Sequence, residues 1–82
     1  MELIFSKNAQ KHYNRIPKQY QAKIKKKLSA LQQVPFIGKK LSGELLGYRS
    51  LRAWPYRIIY LVNEIDKKIE VTDILHRQGA YN

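Results

Sequence analysis

Apolar and polar positions alternate through Glu2–Phe5, which predicts a short opening strand. Ser6 then sits where an N-cap belongs, ahead of a helix from Lys7 to Ile16. Ala9, Tyr13 and Ile16 give that helix its inner stripe, and Lys7, Lys11 and Arg15 lie on another side. Pro17 ends the first helix and suits the start of a second, Pro17 to Gln33. Ile24, Leu28 and Leu31, supported by Tyr20, mark its buried stripe. The short link between the two predicts an antiparallel helical hairpin. Val34-Pro35 stops the second helix, and Phe36 to Gly47, with Gly38, Gly43 and Gly47, reads as a loop anchored by Leu41.

Two strands follow with a tight connection. Tyr56–Val62 is aromatic and β-branched apart from Arg57 and Leu61, with little alternation, so it reads as a central strand covered on both faces. Pro55 cannot donate to a ladder and belongs in the turn. A loop of Ala53 to Tyr56 sets Arg52 opposite Arg57. Tyr48, Ser50, Arg52, Arg57, Ile59 and Leu61 then share one face, and Arg49, Leu51, Ile58 and Tyr60 share the other. Asn63–Lys67 is a polar turn, and Lys68–Leu75 is the last strand, with Ile69, Val71, Asp73 and Leu75 on one face and Glu70, Thr72, Ile74 and His76 on the other. The order β-α-α-β-β-β predicts an α+β fold, a two-helix hairpin on one face of a small, mostly antiparallel sheet, with the other face open to a partner.

Eighty-two residues make a single domain, residues 1–82, with a thin core. The chain has no cysteine, so disulfides and thiolate metal sites are excluded. This fits a cytoplasmic setting. The opening residues do not form a signal peptide, and no stretch approaches a membrane span. Charge changes the picture more. The net charge is +10, and nearly all of it lies in residues 1–57, with 13 Lys/Arg against Glu2 and Glu44. A polyanion or an acidic protein would relieve that self-repulsion.

Two like charges set opposite each other in a sheet cost free energy. An anion held between Arg52 and Arg57 relieves the repulsion, and guanidinium forks fit phosphate. The bland alternative is two arginines reaching to solvent at a hairpin end. Lys23, Lys26, Lys27, Lys39, Lys40 and Arg49 are candidates for further phosphate contacts, though a solvated face is the better explanation of the helical lysines. His12, among lysines, reads as a surface residue, whereas His76 and Arg77, with Tyr81 shortly after, close the last strand. No phosphate-binding glycine loop, dinucleotide fingerprint, carboxylate pair or histidine cluster is present, so no cofactor and no metal is expected. RNA can be cut without a metal: its 2′-OH attacks the adjacent phosphate, an acid protonates the leaving oxygen, and cations hold the phosphoryl charge. Arg52 and Arg57 suit the phosphate, His76 and Tyr81 the protons, and Arg77 further charge. A basic binding module without catalysis explains the same charge.

Leu41-Ser42-Gly43, Tyr48-Arg49-Ser50-Leu51-Arg52, Tyr56-Arg57-Ile58-Ile59-Tyr60 and the ending His76-Arg77 with Tyr81 resemble the RelE/ParE toxin superfamily of type II toxin–antitoxin systems. The resemblance covers nearly the whole chain. It implies two helices on an antiparallel sheet and, for a RelE-like member, a ribosome-dependent endoribonuclease acting on mRNA. Arg57 then matches the phosphate-stabilising arginine, Arg52 a basic neighbour one strand back, and His76, Arg77 and Tyr81 the C-terminal catalytic region. Tyr48 and Ser50 stand where the best-known RelE pattern has lysines. The ParE branch implies the same scaffold as an inhibitor of DNA gyrase without a nuclease site. A member that only binds antitoxin is a third reading. Each implies an acidic antitoxin as partner and a toxin–antitoxin complex.

Overall fold

The computed structural model describes residues 1–77. Its elements are β1 (Glu2–Phe5), α1 (Lys7–Arg15), α2 (Lys18–Gln33), β2 (Lys39–Lys40), a 3-10 turn (Gly43–Leu45), β3 (Arg49–Ala53), β4 (Tyr56–Asn63) and β5 (Lys68–His76). They form a five-stranded mixed sheet in the order β1-β5-β4-β3-β2. The β1–β5 pair is parallel and the others are antiparallel. Both helices pack against the sheet, α1 on β5 and α2 on β3.

Local chemistry accounts for the element ends. The Ser6 hydroxyl accepts from the Ala9 N–H at 3.0 Å and donates to the Thr72 carbonyl at 2.7 Å, so one side chain caps α1 and ties it to β5. Pro17 occupies the N-cap position of α2. At the far end the Ala30 carbonyl accepts from the Val34 N–H, and the chain leaves the helix before Pro35.

The core lies between sheet and helices. Ala9, Ile16, Ile24, Leu28 and Leu31 come from the helical layer, and Leu51, Ala53, Ile58, Tyr60, Ile69, Val71 and Ile74 from the sheet. Tyr60 is fully buried and polar at its tip. Its hydroxyl donates to the Pro35 carbonyl at 2.9 Å and accepts from the Gly38 N–H at 2.8 Å. Burial raises the Tyr60 pKa above the usual tyrosine value of 10.0, opposed by the Gly38 hydrogen bond and the nearby Arg49 charge.

Three expectations are corrected. The stretch after α2 is not all loop: Lys39–Lys40 pairs with β3 and makes a fifth strand. Two exposed lysines carry no apolar alternation that would announce it. The β3–β4 connection is also tighter than expected, because Ala53 already pairs with Tyr56 and only Trp54-Pro55 turn the chain. The Arg52–Arg57 pairing is as the sequence suggested. Finally, the ladder between β4 and β5 shifts at Ile59/Tyr60, where Thr72 is the extra residue. The bulge exchanges the faces beyond it, so Ile74 joins Ile69 and Val71 in the core, and His76 follows Ile74 to the helix side.

Candidate functional site

The open face of the sheet is where the cations gather. Residues directly paired across a ladder share a face. Arg52 pairs with Arg57 and Arg57 with Leu75, while Ser50 pairs with both Lys39 and Ile59. Ile59 stays outside the core between sheet and helices. The open face therefore carries Lys39, Arg52 and Arg57 together. Arg52 is exposed and Arg57 half-buried. His12 and Asp73 form an ion pair, and neither arginine has a carboxylate partner among the described residues.

The remaining predicted residues divide. Arg77 lies just past β5, its backbone N–H donating to the Pro55 carbonyl at 2.8 Å and its guanidinium 5.0 Å from the Trp54 ring centroid. Lys23 reaches the same turn from α2, donating to the Trp54 carbonyl at 3.0 Å. The β3–β4 turn thus carries two more cations at the end of the sheet where Arg52 and Arg57 pair. Lys26 and Lys27 are exposed on α2, in the layer behind the sheet.

His76 is not brought to the arginine pair. It pairs with Tyr56, and their rings meet edge-to-face with centroids 5.2 Å apart; Tyr20 of α2 also meets the Tyr56 ring edge-on at 5.7 Å. The bulge is the physical reason, because it reverses the face on which His76 emerges. Arg49 also points away. Its guanidinium donates to the Phe36 and Gly38 carbonyls at 3.1 and 2.9 Å and lies 4.9 Å from the Phe36 ring centroid, so it secures the loop after α2. Lys40, opposite Arg49, shares that side. Tyr81 lies outside the described residues.

Sequence reasoning missed two features. His12 is no surface bystander: its Nδ1 meets Asp73 Oδ1 at 2.5 Å, and the same oxygen accepts from the Ile74 N–H. A carboxylate sixty-one residues away in the chain gives no local signal. On the face that carries the arginines, Leu45 of the 3-10 turn, Tyr48, Ile59, Thr72, Asp73 and Leu75 also line an open cavity of about 260 Å³. A larger cavity, about 460 Å³ and lined by Phe5, Gln10, Tyr13, Asn14, Lys25 and Leu28, opens between the helices and β1, on the opposite side of the sheet from Arg52 and Arg57.

Among the described residues no three His, Cys, Asp or Glu side chains stand together as a metal site. No helix among them is long and apolar enough to cross a membrane. Two guanidiniums on one face with no carboxylate partner among the described residues, and further cations at the rim, can bind a phosphate and hold its charge.

The model of the family described as the ParE toxin of the parDE type II toxin–antitoxin system matches residues 3–81. No curated protein sequence matches. Solved structures do. The toxin–antitoxin complex RelBE2 of Mycobacterium tuberculosis matches with a TM-score of 0.85 at 24% identity, over 93% of this chain and 96% of that one. The YoeB/ParE toxin of Agrobacterium tumefaciens gives 0.81 at 24% identity, over 93% and 98%. The intact RelBE complex of Escherichia coli gives 0.79 at 22% identity, over 99% and 98%. At these identities the likeness is one of fold.

Proposed function

Since the chain belongs to the ParE toxin family of type II toxin–antitoxin systems, within the RelE/ParE superfamily, we propose that this toxin is a metal-independent endoribonuclease acting on mRNA at the ribosome. The observation that carries this reading is the Arg52–Arg57 cross-strand pair, placed on the open face with no internal carboxylate partner among the described residues. A sheet selected for stability alone would not set like charges opposite each other. A scissile phosphate between them turns the repulsion into attraction.

In this mechanism Arg57 and Arg52 grip the phosphoryl oxygens and hold the charge that grows as the 2′-OH attacks. Lys39, Lys23 and Arg77 guide the strand along the face. Proton transfer falls to Tyr81, because His76 faces the helix layer. The partner is an acidic antitoxin, drawn by the +10 charge. The neighbours solved as toxin–antitoxin complexes support that partner. The setting is cytoplasmic.

The family match favours one rival, inhibition of DNA gyrase on the same scaffold. Induction of the protein followed within minutes by mapping of mRNA 5′ ends separates the two. New ends within translated messages are expected. Intact messages accompanied by gyrase-linked DNA breaks would replace the nuclease reading with the gyrase one.

A further inference from the structure

The cavity under the 3-10 turn adjoins the arginine pair. Leu75, one of its walls, is the cross-strand partner of Arg57, and Ile59, another, lies two residues along the same face. Cross-strand neighbours stand about 4.5–5.5 Å apart at Cβ, so the cavity wall at Leu75 lies one cross-strand step from the root of the Arg57 side chain. Its walls differ in character. Leu45, Ile59 and Leu75 are apolar, Tyr48 is aromatic, and Thr72 and Asp73 supply the polar groups. An apolar slot with an aromatic wall and polar groups from one strand segment matches a nucleobase, which has flat faces and a hydrogen-bonding edge.

Both polar groups are fixed. The Thr72 hydroxyl donates to the Ile59 carbonyl at 3.2 Å, and Asp73 Oδ1 is held by His12 and by the Ile74 N–H. The carboxylate of Asp73 keeps a second oxygen, which can only accept while ionised. Resting on the RNA reading above, we propose that this cavity receives the base of the nucleotide whose phosphate lies on Arg52 and Arg57. Asp73 then selects bases bearing an exocyclic amine over uracil. An amine donates to a carboxylate; the carbonyl oxygens of uracil repel it.

The test is binding of 2′-O-methyl RNA hexamers, which cannot be cut, to the intact protein, followed by fluorescence anisotropy. An all-uridine hexamer is compared with hexamers carrying a single guanosine, adenosine or cytidine. The wild type is expected to prefer the amine-bearing hexamers by about tenfold, the scale of one good base contact. Asp73→Asn, which can both donate and accept, should bring that ratio within about twofold. Leu45→Trp, which fills the cavity from the loop, should erase the preference as well. Arg57→Ala should weaken every hexamer alike. A preference that survives both Asp73→Asn and Leu45→Trp, with Arg57→Ala still weakening all hexamers, overturns the base pocket and leaves the RNA cleft standing. Binding indifferent to Arg57→Ala, or no binding, overturns the cleft and the pocket together.

Discussion

Gly38 and Tyr60 lie so close that a β-carbon on Gly38 would sit 2.5 Å from the Tyr60 hydroxyl oxygen and 2.8 Å from Cε1. The ring is fully buried in the core, so it has no room to retreat. Gly38→Ala is therefore expected to destabilise the fold by about 1–3 kcal/mol, measured by urea denaturation. The loop carrying β2 is held to the sheet through this contact and the Arg49 hydrogen bonds.

Tyr60 also gives the fold an alkaline limit. Its folded pKa lies above the unfolded value of 10.0, with burial as the largest cause. The neutral phenol is thus favoured by folding. This contribution is complete below the unfolded pKa and is lost as pH climbs toward the folded one. The stability difference between wild type and Tyr60→Phe should be constant at neutral pH and shrink above about pH 10. Tyr60→Phe itself, by leaving the buried Gly38 N–H without its acceptor, should cost about 1–3 kcal/mol at pH 7.

The His12–Asp73 contact joins α1 to β5 at the bulge. A double-mutant cycle with His12→Ala and Asp73→Ala is expected to give a coupling energy of about 0.5–3 kcal/mol in denaturant titrations. Additive single effects would mean that the pair holds nothing together.

Much of this was legible in the residues, for physical reasons. Ser6, Pro17 and Val34-Pro35 mark element ends through local backbone chemistry, and the structure places the ends within a residue or so of where they were expected. The Arg52–Arg57 register, supposed from a four-residue loop over Ala53 to Tyr56, holds although the turn is shorter, because pairing Ala53 with Tyr56 leaves Arg52 opposite Arg57. What escaped depends on non-local geometry. A two-residue strand of lysines has no apolar pattern. A bulge at Thr72 leaves every residue in place while reversing the faces of Ile74 and His76. That single extra residue separates His76 from the arginines it resembled a partner for. Arg49, read as a phosphate contact, is committed to backbone carbonyls that no sequence pattern points to.

The account rests on a phosphate held between Arg52 and Arg57. Its most direct test is the rate at which a message is cut on translating ribosomes in a purified translation system, wild type against Arg57→Ala, with folding of the variant verified by circular dichroism. Removal of a preorganised charge-stabilising group should slow cleavage by about 100-fold or more while the variant stays folded. Cleavage by folded Arg57→Ala at the wild-type rate would contradict the account.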